Sequence, residues 1–216
     1  MGKSFLIIGL GRFGESLACA LIEAGHEVLG VDRDPAVVQA LANQLTHVVQ
    51  ADATQEDVLR SLGVNNFDAV IVGSAGNFES STLITLSLKQ LGARHIVAKA
   101  LTDMQAEVLR RVGADEVILP EREAGLRLAR RLTAPNILEY LALGPDLSVA
   151  ELVAPDFLTG KTLGELDVRR RYRVTVLLIK NGDRLVISPD PDDRIEAGDV
   201  LVVVGRDADI QRLRQG

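Results

Sequence analysis

The stretch Gly9-Leu10-Gly11-Arg12-Phe13-Gly14 decides the fold of this 216-residue chain, because it joins a predicted strand to a predicted helix. Its spacing matches G-x-G-x-x-G, which in that context is typical of a phosphate-binding turn. We expect Gly9 to permit the tight turn, Gly11 to let a phosphate approach the backbone, and Gly14 to let helix and strand pack closely. Unpaired amides and the helix dipole then favour an anion. The alternative is a glycine-rich turn that binds no ligand.

Outward from this turn, short β-branched runs alternate with helical patterns. Phe13, Leu17 and Leu21 stand at helical spacing, and Asp34-Pro35 and Thr54 are typical helix starts. Repeated strand–helix units predict an α/β fold with a Rossmann-like, doubly wound parallel sheet. We predict its strands at Ser4–Ile8, Glu27–Val31, His47–Gln50, Asp68–Val72, His95–Lys99 and Glu116–Leu119.

The pattern changes after the sixth unit. We expect a first domain over residues 1–133, a linker with a crossover helix over 134–146, and a small α+β domain over 147–216. The apolar stripe from Ile137 to Leu143 predicts the linker helix, which would be a dimerisation element or pack on its own domain. For the last domain we predict strands at Ser148–Val153, Val174–Ile179, Arg184–Ser188 and Asp199–Val204, and helices at Thr162–Arg171 and Asp207–Leu213.

Composition and charge exclude several classes of protein. The formal net charge of −6 argues against sequence-independent binding to nucleic acid, because such binding needs a basic face. No segment approaches the roughly 20 apolar residues of a membrane-spanning helix. We therefore expect no direct membrane insertion, and expect any membrane role to come through a partner. The single cysteine, Cys19, allows no disulfide within the chain and fits the cytoplasm.

Acidic and hydroxyl side chains follow the second and third predicted strands. Asp32 ends the second strand, where a carboxylate accepts hydrogen bonds from an adenosine ribose; it could instead help Asp34 to cap the next helix. Asp52-Ala53-Thr54 follows the third strand, where an adenine edge would lie. There Thr54 could equally be only a helix cap.

Arg12 indicates which nucleotide the turn would bind. A cation in the first turn of a helix opposes the helix dipole, typically at a cost of about a few tenths of a kcal/mol. An anion bound at the start of the helix would make the arginine favourable there. The backbone amides already satisfy most of the charge of a dinucleotide pyrophosphate, whereas a β- or γ-phosphate keeps negative charge that an arginine can bind. The sequence therefore favours ATP or ADP over NAD, with an exposed, solvent-screened arginine as the alternative.

The sequence shows no recognisable set of catalytic residues. His26, His47 and His95 all stand beside predicted strand starts, where structural roles are expected. The rest of the chain has no histidine and is small for a substrate domain. No Ser–His–Asp, Cys–His or HExxH arrangement can be assembled. We therefore predict a ligand-binding protein that is not an enzyme, with an NAD-dependent oxidoreductase as the least favoured alternative.

Four motifs precede the small C-terminal domain: Gly9–Gly14 with Asp32, Gly73-Ser74-Ala75-Gly76-Asn77, Val97-Ala98-Lys99-Ala100 and Leu119-Pro120-Glu121-Arg122-Glu123-Ala124-Gly125. Their order resembles that of the KtrA-type family, the cytosolic gating subunits of Ktr potassium uptake systems. It implies a regulator-of-potassium-conductance (RCK) N-domain followed by a TrkA-C domain. It also implies a homodimer that assembles into an octameric ring beneath a KtrB-like membrane subunit, at the inner face of the cell membrane, with ATP opening the system and ADP closing it.

This resemblance also assigns residues to ligands. Arg12 would meet the terminal phosphate, Asp32 the ribose, and Lys99 would face the nucleotide. Glu121 would bind a divalent cation, Mg²⁺ or Ca²⁺, beside the γ-phosphate, although a helix dipole alone also favours a glutamate at that place. A TrkA-type subunit responding to NAD(H) is the alternative. The predicted nucleotide set is Gly9, Gly11, Arg12, Phe13, Gly14, Asp32, Arg33, Asp52, Ala53, Thr54, Ser74, Asn77, Lys99 and Glu121.

A segment of the last domain resembles the region that binds cyclic di-AMP at the dimer interface in some relatives. The resemblance implies contacts from Leu163 and from Arg169, which would meet the phosphates. Arg170 departs from those relatives, which have a small residue at this position. Arg169–Arg171 could equally be a solvated basic run.

Overall fold

The sheet of the first unit contains six parallel strands: β1 (Ser4–Ile8), β2 (Glu27–Asp32), β3 (His47–Gln50), β4 (Ala69–Val72), β5 (Ile96–Lys99) and β6 (Glu116–Ile118). The computed structural model describes residues 2–73, 77–133 and 137–215, and divides into two units, residues 1–123 and 124–216. The strand order is β3-β2-β1-β4-β5-β6. Since the chain order reverses between β1 and β4, a crevice opens there at the carboxyl ends of the strands. The doubly wound α/β prediction is confirmed, and each predicted strand agrees to within one residue at either end.

Helices follow the strands of this unit: α1 (Arg12–Glu23), α2 (Pro35–Leu41), α3 (Glu56–Ser61), α4 (Phe78–Gln90), α5 (Asp103–Val112) and α6 (Pro120–Thr133). Side-chain caps fix several starts, as where Asp34 accepts the Ala36 amide at 2.8 Å and Asn77 accepts the Ser80 amide at 3.2 Å. The prediction that Thr54 begins or caps a helix is wrong, because α3 begins at Glu56 and Gln55 precedes it as the N-cap. The two units divide within α6, and the predicted boundary at residue 133 lies at the far end of that helix.

The sheet of the first unit is buried on both faces. Leu6 and Ile8 of β1 pack into one cluster with residues of β4 and β5. Ile7, between them, packs into a second cluster on the opposite face. Successive strand residues point to opposite faces, so an uninterrupted apolar run supplies both clusters at once.

The second unit is built on an antiparallel sheet of order β10-β9-β11-β8-β7, with strands β7 (Ile137–Ala142), β8 (Leu147–Val153), β9 (Thr175–Asn181), β10 (Arg184–Ile187) and β11 (Val200–Arg206). The unit also contains the end of α6, and short helices accompany the sheet: α7 (Leu163–Leu166), α8 (Val168–Tyr172) and α9 (Asp207–Gln215). Residues such as Leu152, Leu201 and Leu213 are fully buried in its single apolar cluster. The α+β prediction holds, but the helix predicted over Thr162–Arg171 is broken at Asp167, whose φ is +44°.

The helix predicted in the linker is wrong, because the structure has β7 there. Its residues pair with β8 in an antiparallel register, with Tyr140 opposite Ala150 and Leu141 opposite Val149. A short apolar run fits a buried helix and a strand equally well by spacing alone. Pairing with the edge of β8 favours the strand, because it satisfies the backbone N–H and C=O groups of both segments.

Within the described residues, no helix combines the length and the apolar character needed to cross a membrane.

Candidate functional site

Glycine shapes the turn between β1 and α1. Gly9 has a φ of +90°, a conformation that side chains with a Cβ rarely adopt. At Gly14, a Cβ would lie 2.1 Å from the carbonyl oxygen of Gly9, so only glycine lets α1 pack this close to the turn. At Gly11, a Cβ would meet nothing within 4 Å. The first and last glycines therefore make the turn, and the middle one leaves open space beside its backbone.

The start of α1 is an uncapped helix end. Gly11 is its N-cap residue, and no side chain accepts a hydrogen bond from the first amides. These amides and the positive end of the dipole attract an anion. Arg12 is exposed, and within the described part of the chain its guanidinium takes part in no hydrogen bond or ion pair. Two sources of positive potential thus stand at the same place without an internal counter-charge in contact.

Asp32 holds the turn from the end of β2. One carboxylate oxygen accepts the Leu10 amide at 2.7 Å, and the other accepts the Asp34 amide at 2.9 Å. The cap of α2 is Asp34 itself, through its bond to the Ala36 amide. Asp32 is therefore a clamp on the turn, and each carboxylate oxygen retains capacity to accept a further hydrogen bond from a ligand.

Asp52 organises the turn after β3. One of its oxygens accepts both the amide of Thr54 at 3.0 Å and the Thr54 hydroxyl at 2.7 Å. The bond from the Thr54 hydroxyl is the main cause that lowers the pKa of the Asp52 carboxyl, and the charge of Arg33 contributes. The carboxylate is thus an acceptor at neutral pH, on the rim of the crevice.

Three elements bring Lys99, Glu121 and Phe13 together. Lys99 ends β5, Glu121 lies in the first turn of α6, and Phe13 lies in the first turn of α1. The Lys99 ammonium donates to the Glu121 carboxylate at 2.5 Å and stands 5.7 Å from the centre of the Phe13 ring. This bond lowers the pKa of Glu121, and the nearby charge of Arg12 acts in the same direction.

These groups line one cavity of about 810 Å³, a size typical of small-molecule sites. Most of the predicted nucleotide set lies on its wall, but Gly14 packs behind the turn and Ser74 lies outside the described residues. The sequence interpretation missed six lining residues. Ile8, Val31, Ala51 and Gly73 lie at strand ends beside the crevice, which was a usable signal, whereas Ser80 and Ile84 lie within α4 and offered none. The lining comprises Ile8, Gly9, Gly11, Arg12, Phe13, Val31, Asp32, Arg33, Ala51, Asp52, Ala53, Thr54, Gly73, Asn77, Ser80, Ile84, Lys99 and Glu121.

The two residues predicted to contact cyclic di-AMP lie in the second unit and do not line this cavity. Leu163 begins α7 and packs partly buried against the apolar cluster of its unit. Arg169 is exposed on α8, as are Arg170 and Arg171.

Glu121 is also the predicted metal ligand. Over the described ranges there is no group of three or more His, Cys, Asp and Glu side chains that could hold a metal ion. One carboxylate is sufficient for an ion such as Mg²⁺, which takes its other ligands from phosphates and water. Glu121 therefore fits a divalent cation only together with a ligand that supplies the remaining oxygens.

His26 and His95 stand just before β2 and β5, and each contacts a residue of a neighbouring strand. His26 accepts the Lys3 amide at 3.2 Å and packs edge-on against Phe5, with 5.5 Å between ring centres. His95 lies 3.7 Å from Glu116. No histidine is among the residues that line the cavity.

Sequence comparison identifies the family. The TrkA-N domain matches residues 5–120 and the TrkA-C domain matches residues 149–215. Ktr system potassium uptake protein C of Bacillus subtilis (strain 168) is 41% identical over 215 residues, which cover 100% of this chain and 97% of that protein. Ktr system potassium uptake protein A of the same organism is 43% identical over 210 residues, covering 97% and 95%. These relatives are named for potassium uptake and not for an enzymatic reaction.

Solved structures of the GsuK channel share the fold. The channel superposes with a TM-score of 0.72 at 23% identity, covering 99% of this chain and 39% of that chain. The channel bound to NAD gives 0.66 at 21% identity, with 99% and 39% covered. GsuK bound to ADP gives 0.56 at 23% identity, with 63% and 36% covered. This chain thus spans less than half of each channel chain, and such identities show the fold alone.

The two domain matches and the near full-length identity to the Bacillus proteins show that this chain belongs to the TrkA-N/TrkA-C family, as a KtrA-type RCK subunit.

Proposed function

We propose that this chain is a regulatory subunit of a potassium uptake system and that it senses ATP and ADP in the cavity of its first unit. The observation that carries the proposal is Arg12, an exposed guanidinium that makes no hydrogen bond or ion pair with the described residues, beside uncapped helix amides. The names of the Ktr relatives support the potassium role. The cavity supplies a place where a small ligand would act.

The arrangement of charges favours a phosphate tail. The amides that start α1 suit one phosphate group, and Arg12 and Lys99 line the same cavity. A β- or γ-phosphate would place further negative charge within reach of these cations. Asp32 would accept hydrogen bonds from the ribose while it continues to clamp the turn. The residues of Asp52-Ala53-Thr54, on the β3 side of the crevice, would meet the adenine.

A divalent cation would complete the ATP-bound site. ATP carries several negative charges, so a carboxylate beside them is favourable only with a cation between. Glu121, together with phosphate oxygens and water, would hold Mg²⁺ or Ca²⁺, and the ion would neutralise the excess negative charge.

Regulation requires that ATP and ADP favour different conformations. A ligand that binds two states equally shifts no population, however tightly it binds. We propose that the chain forms homodimers, that these assemble into an octameric ring on a KtrB-like membrane subunit at the cytoplasmic face, and that ATP favours the open form and ADP the closed form. Cyclic di-AMP, contacted by Leu163 and Arg169, would act on the second unit.

Titration of purified protein with ATP, ADP and NADH tests the nucleotide assignment. We expect Arg12→Ala to weaken ATP binding by roughly tenfold or more, in line with the loss of a charge-assisted hydrogen bond, and to weaken NADH binding less. Arg94→Ala is the matched control, because Arg94 is an exposed arginine of the same unit that does not line the cavity. Its affinities should equal those of the wild type.

Two results of this titration would overturn the assignment. If wild-type protein binds neither ATP nor ADP, the cavity is not an adenine-nucleotide sensor. If NADH binds more tightly than both and Arg12→Ala affects all three ligands equally, the NAD(H)-responsive alternative is correct. That alternative has support in the GsuK channel, which shares the fold and is known bound to NAD and to ADP.

A further inference from the structure

The Lys99–Glu121 ion pair differs from the other ion pairs of the first unit in its surroundings. The Lys99 side chain is only 12% exposed, whereas Glu121 is 59% exposed and reaches in from the start of α6. The two atoms in contact, Nζ and Oε1, are 2.5 Å apart. In the surface pairs Arg60–Glu56 and Arg111–Glu107, both partners are largely exposed. Among the described residues, the nearly buried Lys99 ammonium thus pairs with one anion, the Glu121 carboxylate on the cavity wall.

The position of Glu121 is one that a phosphate would occupy. Both partners of the pair line the cavity, together with Arg12 and the uncapped start of α1. A carboxylate and a phosphate oxygen are both strong acceptors for an ammonium group, and a nearly buried ammonium is costly to leave without one. A phosphate oxygen can therefore replace the Glu121 carboxylate at Lys99 without leaving the ammonium group unpaired.

We propose that Glu121 is a displaceable internal anion, which neutralises Lys99 in the absence of ligand and must leave Lys99 when the phosphates of a nucleotide bind. The proposal rests on the proposed nucleotide function of the cavity. It makes the site selective for charge, because a neutral nucleoside cannot replace the carboxylate, whereas a polyphosphate can. It also makes the first turn of α6 the segment that responds to occupancy.

Calorimetric titration with ATP, ADP and adenosine, in EDTA so that no divalent cation takes part, tests this competition. With Glu121→Gln, the internal competitor is weakened, and we expect ATP and ADP to bind about three- to tenfold more tightly than to the wild type. Adenosine affinity should not change. Glu123→Gln is the matched control: it makes the same change of charge two residues further along α6, at a residue that does not line the cavity.

A double-mutant cycle separates displacement from simple repulsion between Glu121 and the phosphates. If Glu121 acts through Lys99, Glu121→Gln should give no further gain in ATP affinity in a Lys99→Gln protein. Lys99→Met replaces Lys99→Gln should that variant fail to fold. A gain of the same size in the Lys99 variant, or an equal gain in Glu123→Gln, would overturn the proposal in favour of long-range electrostatics.

The remaining outcomes are also decisive. If wild type binds ATP but Glu121→Gln binds it equally or more weakly in EDTA, the displacement idea fails and the nucleotide function stands. If wild type binds no adenine nucleotide, either in EDTA or with Mg²⁺ present, both fail together.

Discussion

The two units hold their candidate ligand residues in different ways. In the first unit, residues from Gly9 to Glu121 meet on one cavity, because parallel strands end at the same edge of the sheet. In the second unit, neighbouring strands run in opposite directions, and the candidates Leu163 and Arg169 stand on short helices beside the sheet. A parallel sheet thus gathers distant residues into a concave site, whereas the antiparallel unit exposes Arg169 and packs Leu163 partly against its own apolar cluster.

The largest expected effect concerns the turn on which the first unit depends. Gly14→Ala would place a Cβ 2.1 Å from the carbonyl oxygen of Gly9, a backbone atom that cannot rotate away. We expect a loss of about 3 kcal/mol in the free energy of unfolding, at the upper end for overpacking, and loss of ATP binding. Thermal or denaturant unfolding of the purified variant measures the first effect.

Gly125→Ala is the control for this substitution. Gly125 also lies within a helix, but a Cβ there would meet nothing within 4 Å. Alanine should therefore stabilise the protein by roughly 0.5–1 kcal/mol, because it favours the helix. Equal effects of the two substitutions would show that the close approach of α1 to the turn is not what requires glycine.

A smaller effect is expected at the surface of the second unit. If Arg169 contacts the phosphates of cyclic di-AMP, Arg169→Ala should weaken binding of that ligand by roughly tenfold, as measured by calorimetry, with ATP binding unchanged. Arg170→Ala, one residue along the same exposed helix, is the control. An equal loss in both variants would show that the basic run acts only through its net charge.

The smallest effect should appear at the rim of the cavity. The bond from the Thr54 hydroxyl lowers the pKa of Asp52 in the folded state. The ionised Asp52 therefore stabilises the fold at pH values above the ordinary carboxyl pKa, and this stabilisation is lost as the pH falls through the lowered folded pKa. Asp52→Asn should cost less than about 1 kcal/mol at pH 7, because the group is solvent-screened.

The pH dependence of unfolding checks this assignment. The difference between wild type and Asp52→Asn should shrink at acidic pH. Asp183→Asn is the comparison from the second unit, since Asp183 is exposed and makes no hydrogen bond with any described residue, and its effect should be near zero throughout. A pH-independent difference at Asp52 would mean that its charge does not matter for the turn.

Much of the first unit was predictable from local pattern. Its β-branched runs are buried on both faces, so a continuous apolar stretch gives the strand directly, as in β1 and β4. The glycine turn was predictable because Gly9 and Gly14 each meet a separate steric demand. The segment of β7 was predicted as a helix because five or six apolar residues carry too little periodicity to decide.

Local sequence could not give the partners of the polar groups. Asp32 was considered as a ribose ligand or a cap, and the structure adds its role as a clamp on the Leu10 amide, 22 residues away in sequence. Thr54 donates to Asp52 instead of capping α3. Lys99 and Glu121 were each predicted to face the nucleotide, and their pairing depends on β5 and α6 meeting at the crevice.

Periodicity and the steric needs of single residues were enough to predict the order of elements, the parallel sheet and the glycine turn. The resemblance to the KtrA-type family rests separately on the order of its motifs. Three features became visible only in the fold: residues 137–142 form an edge strand, Asp32 accepts the Leu10 amide of the turn, and Glu121 pairs with Lys99. Burial can be predicted from the local pattern of apolar residues. Hydrogen bonds and ion pairs instead depend on which distant segments the fold brings within about 3 Å of each other.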